Sequence, residues 1–407
     1  MDSATRKTRL QIHHRIVIHD FGGHAFTVQL ARSLATRGHD LLYLHGGGLR
    51  EPRGAMERRP TDAPQLAIEP VDLDEVLQNA VGLRRLAQER RYGSALARRI
   101  VAFEPTHVLS ATGALDIQRS AQNAARKAGA SFVYWLQDVQ SVAVSRLLGS
   151  RLPVIGAITR LSLVPVERGL LRRSQAVIAI TPDFLPLLDR WGVDQDRVTV
   201  LPNWAPITEV PYHETATDWA ERHGIKARPL FLYAGTLGRK HDPSLLTALA
   251  AGIPAAAVLV VAEGAGADRL RNGPALPPNL TLIDPLPHDE LADLLGTADV
   301  LVVVLSRDAG TFSVPSKVLS YLAAGRPILA AIPATNLAAV KIREADAGMV
   351  VDPSDRTAFG EAGRDLAKDG EARVAAGIAA RRYAEATFDI DRITDRFEAV
   401  LSNAAQA

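Results

Sequence analysis

Two doubly wound α/β domains are what this sequence predicts, and three observations predict them. Short apolar runs alternate with helical segments almost throughout, the alternation stops once near the middle, and it then restarts with the same rhythm. Before the break the runs are 15–19, 41–44, 107–110, 132–136, 176–180 and 198–201, and after it 230–234, 257–261, 280–283, 300–305, 328–331 and 349–351. Continuous apolar runs separated by helices argue for parallel strands covered on both faces. The break is Pro202-Asn-Trp-Ala-Pro206, then Pro211 and a polar stretch to Pro229, which reads as a linker near residue 205. Ligands of such sheets bind beyond the carboxyl ends of the strands, so the expected site is a central cleft that the two domains face.

A length of 407 residues is too great for one ordinary core, and 47% hydrophobic with 23% charged residues excludes a disordered or fibrous chain. The absence of cysteine excludes disulfides and thiolate zinc sites and fits a reducing compartment. Residues 1–15 are charged and lack an apolar h-region, so no secretory signal is expected and the cytoplasm is the expected location. The stretch 243–262 is uncharged over a membrane-spanning length. Gly252-Ile-Pro254 interrupts it, which favours helix followed by strand.

The net charge is only +2, and no nucleic-acid partner is expected. Charge is nevertheless uneven: residues 142–174 hold Arg146, Arg151, Arg160, Arg168, Arg172 and Arg173 against one acid, Glu167. Such a segment is either a solvated helix face or a surface that rests on anionic lipid, at the inner face of the plasma membrane.

Two loops carry the chemistry. In Phe312-Ser-Val-Pro-Ser-Lys-Val-Leu-Ser-Tyr-Leu-Ala-Ala-Gly-Arg-Pro327, Ser313 and Ser316 are capping types and Pro315 suits a first turn. Val318, Leu319 and Leu322 repeat at helical spacing, and Gly325 with Pro327 ends the helix. Free N–H groups at that start, with Lys317 in the first turn, suit a phosphate. The second loop is Tyr233-Ala-Gly-Thr-Leu-Gly-Arg-Lys-His-Asp242, where Gly235 and Gly238 allow close backbone approach and Arg239, Lys240 and His241 supply cationic groups. Each alone is also consistent with an ordinary βα turn. Together they form a clamp for one diphosphate, and two of the chain's seven lysines sit in them.

With these motifs the chain resembles glycosyltransferase family 4 and its GT-B fold of two Rossmann-like domains, in a bacterial polysaccharide branch with a Pro-Ser-Lys motif. Asp20-Phe-Gly-Gly-His24 resembles the acceptor-side glycine loop, with Gly22 and Gly23. Gly235-Thr-Leu-Gly238 and Ala262-Glu-Gly264 resemble the segments that frame the donor nucleotide, and Pro285-Leu-Pro-His-Asp-Glu-Leu291 the segment that meets the base through Pro285 and Leu286. Val314-Pro-Ser-Lys317 through Pro327 is similar to the phosphate loop and following helix. The resemblance implies an acceptor-side domain over 1–205, completed by a C-terminal helix 388–407, and a donor domain over 206–387.

It further implies retaining, metal-independent transfer of a sugar from a nucleotide-sugar donor to a hydroxyl of a glycan, lipid-linked or small-molecule acceptor, with no cofactor. Fixed cations and N–H groups aimed at the departing diphosphate lower the barrier, and Arg239, Lys240, Lys317, Ser316 and the backbone of Gly235 and Gly238 are the candidates. His24 either contacts an acceptor hydroxyl or donor phosphate or caps a turn. Asp138 either orients or deprotonates the acceptor hydroxyl or caps the helix that follows. Glu263 is either a sugar or ribose ligand or a surface acid. The sequence departs from the family pattern at Thr236, Gln137, Phe312 and Ser320; the last stands where relatives often place a glutamate and offers a hydroxyl instead.

Asp72-Leu-Asp74, Asp194-Gln-Asp196 and Asp389-Ile-Asp391 match the bare Asp-x-Asp metal pattern, but none directly follows a strong strand. No Gly-x-Gly-x-x-Gly follows the first strand and no Gly-x-Ser-x-Gly is present, which argues against a dehydrogenase and a hydrolase. A nucleotide-sugar 2-epimerase or a non-catalytic binding subunit would use the same phosphate loops.

Overall fold

The computed structural model of the chain describes residues 13–47, 54–72, 83–149, 153–238, 240–307 and 316–405. These form two compact units, Met1–Pro202 with Ile390–Ala407 and Asn203–Asp389.

The first unit runs β1 (Arg15–Asp20), α1 (Ala25–Thr36), β2 (Asp40–Gly46), β3 (Leu66–Val71), α2 (Leu83–Phe103), β4 (His107–Ser110), α3 (Leu115–Lys127), β5 (Ser131–Leu136), α4 (Gln140–Gly149), α5 (Pro153–Arg173), β6 (Ala176–Ala179), α6 (Leu185–Arg190) and β7 (Val198–Val200). Its seven strands lie in the order β3-β2-β1-β4-β5-β6-β7, all paired in parallel. The central strands are apolar at successive positions because helices cover both faces: Ile16, Val17 and Ile18 of β1 and Phe132, Val133 and Tyr134 of β5 are all buried. One strand, β3, was not expected. Glu69 and Pro70 interrupt its apolar run, and it lies at the sheet edge, where a missing N–H is tolerated.

The second unit runs α7 (Trp219–Arg222), β8 (Leu230–Ala234), α8 (Ser244–Gly252), β9 (Ala257–Val261), α9 (Ala265–Arg271), β10 (Leu280–Ile283), α10 (Leu291–Thr297), β11 (Val300–Val304), α11 (Lys317–Ala324), β12 (Ile328–Ala331), α12 (Leu337–Glu344), β13 (Gly348–Val351), α13 (Arg356–Lys368) and α14 (Gly370–Thr387). Its strand order is β10-β9-β8-β11-β12-β13, again parallel throughout. Phe231, Tyr233, Val258, Val260, Val302 and Leu329 lie in its core. The uncharged stretch at 243–262 is α8 followed by β9, as Gly252 and Pro254 imply. Among the described residues no helix is long and apolar enough to cross a membrane.

The last helix, α15 (Ile390–Ala404), belongs to the first unit. Phe397 packs on Trp135, Arg37 pairs with Asp395 and Glu398, and His107 Nε2 lies 3.0 Å from the Leu401 carbonyl.

Candidate active site

In the second unit the strand order reverses between β8 and β11. Loops leaving the carboxyl ends of these strands border the switch point, where ligands of doubly wound sheets bind. Lys317 opens α11, which ends at Gly325 in the left-handed conformation (φ +65°), with Val318, Leu319 and Leu322 buried as their spacing predicts. Ser316 is the N-cap but its side chain caps nothing; Leu319 N donates to the Ser316 carbonyl (3.0 Å), while the Lys317 and Val318 N–H groups have no acceptor among the described residues. The Lys317 residue is half-buried, yet its Nζ has no solvent access and no hydrogen-bond partner among the described residues. It sits 3.6 Å above the centroid of the buried Tyr233 ring, and a Cβ at Gly235 would meet it at 3.5 Å. Burial, followed by repulsion from Lys240, pushes its pKa down to about 7.

The glycine loop differs from the expected N–H cradle. Gly235 N donates to the Val261 carbonyl (2.9 Å), Leu237 N to the Glu263 carbonyl (2.8 Å) and Gly238 N to His241 Nδ1 (2.9 Å). The Thr236 N–H has no acceptor among the described residues. The loop is therefore pinned to the end of β9 rather than open toward an anion. His241 also departs from expectation: its Nδ1 accepts a proton bond, so it is no cation in this state. Burial and the charges of Lys317 and Lys240 push its pKa down to about 4.

Gly235 (φ +113°) supplies a conformation that side chains rarely adopt. Lys240 is exposed, and its carbonyl accepts from Ser306 N (2.8 Å), joining the loop to the end of β11; Arg239 lies outside the described residues, as do Phe312, Ser313, Val314 and Pro315. Glu263 has an exposed side chain at the end of β9. Pro285 and Leu286 are half-buried on the same edge, after β10 and two strands from β8. Ser316 is exposed and Ser320 half-buried, in the first turn after Lys317. Thus Gly235, Gly238, Lys240, Glu263, Ser316 and Lys317 share one loop cluster, with Ser320, Pro285 and Leu286 along its edge.

Two tyrosines that sequence reasoning passed over build this cluster. Tyr321 accepts from Ala234 N (3.0 Å) and donates to the Ala234 carbonyl (3.2 Å), closing the end of β8. Tyr233 donates to the Thr236 carbonyl (2.9 Å). The available signal was helical spacing, since Tyr321 follows Lys317 by four residues and shares its face.

The first unit has its own cluster where the order reverses between β1 and β4. Its centre is Asp20, fully buried and unassigned from sequence. It accepts from Gly22 N (3.2 Å), His24 N (2.7 Å), His24 Nδ1 (2.9 Å), Thr27 Oγ1 (2.7 Å) and, in a short bond, Thr112 Oγ1. Burial alone would raise its pKa, but the His24 charge and bonds from His24, Thr112 and Thr27 hold it far below the carboxylate range. Gly22 and His24 are thus fixed on one anion, Gly23 N donates to the Asp20 backbone carbonyl (3.1 Å), and His24 is the N-cap of α1 with its side chain turned to Asp20.

Asp138 is exposed beyond β5. The start of α4 is met by Glu167 of α5, fully buried, whose Oε1 and Oε2 accept from Gln140 N and Ser141 N at 2.9 Å each. Turned inward, Glu167 leaves the exposed Arg160, Arg168 and Arg172 without an acidic partner among the described residues, beside the exposed Val154 (72%) and Leu161 (77%). The Arg146 side chain and Arg151 lie outside the described residues. Of the Asp-x-Asp pairs, Asp194 accepts from Asp196 N (3.1 Å) and Asp391 pairs with Arg37.

Two parallel-sheet units, each with its loop cluster at a topological switch point, define a GT-B architecture. Residues 21–204 match the family model of the glycosyl transferase 4-like domain, and residues 228–369 that of the glycosyl transferases group 1. Together these cover most of the chain, which belongs to the family-4-like glycosyltransferases. Among solved structures it is similar to sucrose-phosphate synthase from Thermosynechococcus elongatus (17% identity, TM-score 0.70, covering 95% of this chain and 97% of that one). It is also similar to Anabaena HepE in complex with UDP-glucose (14%, TM-score 0.66, 96% and 100%) and a glycosyltransferase from Rickettsia africae (13%, TM-score 0.64, 96% and 98%). At these identities the likeness is one of fold. No curated protein sequence matches the chain.

Proposed function

We propose that this glycosyltransferase is a retaining, metal-independent enzyme that moves a sugar from a nucleotide-diphosphate donor to a hydroxyl of a glycan, lipid-linked or small-molecule acceptor, in envelope or polysaccharide assembly. The observation that carries the reading is Lys317 Nζ, a buried amine without a hydrogen-bond partner among the described residues, at the switch point of the unit that matches the group 1 model. Anabaena HepE, of the same fold, has been solved with UDP-glucose and with UDP and glucose, which supports a nucleotide-sugar donor.

In this reading the bond from the anomeric carbon to the diphosphate oxygen breaks and its electron pair stays on the diphosphate. The acceptor oxygen bonds the anomeric carbon from the same face and gives up its proton to the Asp138 carboxylate. Lys317, Lys240, Arg239 and the open N–H groups at Ser316 stabilise the departing diphosphate. Ser320 and Glu263 bind sugar or ribose hydroxyls, Pro285 and Leu286 border the base, and His24 and Asp138 serve the acceptor. A screen of nucleotide sugars and acceptors followed by mass spectrometry tests the reading, and the anomeric configuration of the product by NMR tests retention. If no nucleoside diphosphate shifts the melting temperature, the donor site is refuted.

A binding subunit without transfer is the second reading, favoured by the engaged N–H groups of Gly235, Leu237 and Gly238. Donor binding with no product from any acceptor or water would support it. We further propose peripheral association with an anionic membrane face through 142–174, supported by the exposed Arg160, Arg168 and Arg172, which have no acidic partner among the described residues, and by the exposed Val154 and Leu161. Absence of co-sedimentation with anionic liposomes at low salt would refute this.

A further inference from the structure

We propose that Tyr233 is a positioning residue for Lys317, its ring face holding the amine at the switch point and its hydroxyl fixing the neighbouring loop, so that the lysine stands ready before a diphosphate arrives. The inference rests on the reading of Lys317 as the diphosphate's partner.

The geometry has three parts. Lys317 Nζ lies 3.6 Å from the Tyr233 centroid, within the range of a cation–π contact, and has no other polar partner among the described residues. Tyr233 itself cannot shift, because its ring is fully buried in the core and its hydroxyl is held by the Thr236 carbonyl at 2.9 Å. Gly235, between them in sequence, has no side chain to separate the amine from the loop, and a Cβ there would already touch Nζ at 3.5 Å. One aromatic side chain thus sets both the height of the lysine and the path of the loop whose Thr236 N–H remains open.

A cation–π contact favours the ammonium over the amine, whereas burial does the reverse. Among the described residues, the charged or titratable groups around Lys317 are Lys240 and His241 in the loop after β8, Tyr233 on β8 and Tyr321 one turn along α11. Both phenols are kept neutral by burial, and His241, pushed down to about 4, is neutral above pH 5. Lys317 is therefore the group of this set that changes charge near neutrality. A diphosphate prefers the ammonium, so donor binding above pH 7 takes up a proton at Nζ, and donor affinity falls as pH rises through that range.

The test is titration calorimetry with UDP-, GDP-, ADP- and dTDP-glucose, whose diphosphate diesters do not titrate near neutrality. Affinity of whichever binds is measured from pH 5.5 to 9. Wild type should lose about tenfold in affinity across this range, and Lys317→Met should show the weaker value at every pH. Tyr233→Phe, which keeps the ring but loses the bond to the Thr236 carbonyl, should bind more weakly by one factor at every pH, with the decline at the wild-type pH. Pentafluorophenylalanine at position 233 keeps the shape but inverts the ring's quadrupole, so its decline should begin about one pH unit lower, with the acidic limb that of Tyr233→Phe. A merely structural role of the ring would leave the pentafluorophenylalanine profile identical to that of Tyr233→Phe or weaker by one factor at all pH values, and either result overturns the proposal for Tyr233. A Lys317→Met profile identical to wild type, or no binding of any of the four probes, instead overturns the donor reading beneath it.

Discussion

Replacing Asp20 by asparagine removes a charge while keeping the shape of the side chain, which isolates what the carboxylate does for the first unit. In the wild type one oxygen accepts from His24 N, His24 Nδ1 and Thr27 Oγ1, and the other from Gly22 N and Thr112 Oγ1. An asparagine has one acceptor oxygen, and the less costly orientation keeps it on His24 N and turns its NH2 to Gly22 N, which then retains only the Thr112 Oγ1 acceptor (3.0 Å). Threonine hydroxyls can rotate to accept; the backbone N–H cannot. Hydrogen bonds to a charged group contribute roughly 1.5–3 kcal/mol each, so weakening those from His24 and losing that from Gly22 N costs about 3 kcal/mol. Asp20 is fully buried, so solvent screening does not reduce this figure.

For a unit of this size that corresponds to a fall of roughly 6–12 °C in its melting transition, measurable by calorimetry on the full chain. Hydrogen exchange should place the loosening in the Gly22 to Thr27 loop. The pH dependence follows from the direction of the shift. Asp20 has its folded pKa held below the unfolded value, so its contribution is complete above about pH 4 and disappears only as pH falls further toward the folded value. The gap between wild type and Asp20→Asn should therefore be constant from pH 8 to 5 and narrow below 4. A variant that melts within 1 °C of wild type at pH 7, with unchanged exchange in the loop, would refute this account of the network.

Lys317→Ala should lower turnover by about a hundredfold or more and donor affinity by much less, because the charge it meets grows as the diphosphate departs; equal losses in kcat and in donor Kd would contradict that role. Glu167→Gln leaves Gln140 N or Ser141 N without an acceptor, so amide exchange at the start of α4 should speed up by roughly tenfold while the second unit's amides stay unchanged. Activity should survive dialysis against EDTA without loss, and restoration by magnesium or manganese of activity lost on chelation would refute metal independence.

What the sequence made legible was whatever depends on local pattern. The central strands of both sheets announce themselves as apolar runs because they are buried on two faces, and α11 through Val318, Leu319, Leu322 and Gly325. β3 escaped because Pro70 is tolerated only at an edge, and edge position is a property of the sheet, not of the strand. Partnerships were illegible for the same reason. Thr112 lies 92 residues from Asp20, and Glu167 lies 27 residues beyond the Gln140 it caps. In residues 142–174 Glu167 reads as the one acid diluting a basic surface, whereas folding removes it from that surface.

The loops around Lys317 illustrate how a site's chemistry depends on what the fold has already used. A glycine-rich βα loop suggests N–H groups free to hold phosphate, but Gly235, Leu237 and Gly238 donate within the protein, and His241 accepts rather than donates at Nδ1. Without an acceptor or partner among the described residues are the N–H groups of Thr236, Lys317 and Val318 and the Lys317 amine. Backbone dipoles fixed by the fold stabilise a diphosphate at every stage of the reaction, whereas a buried lysine gains most when charge accumulates on the leaving group in a water-excluded site. An arrangement that ties down the glycine loop and leaves the lysine unpaired therefore directs the protein's electrostatic contribution toward the departure of the diphosphate more than toward its initial binding.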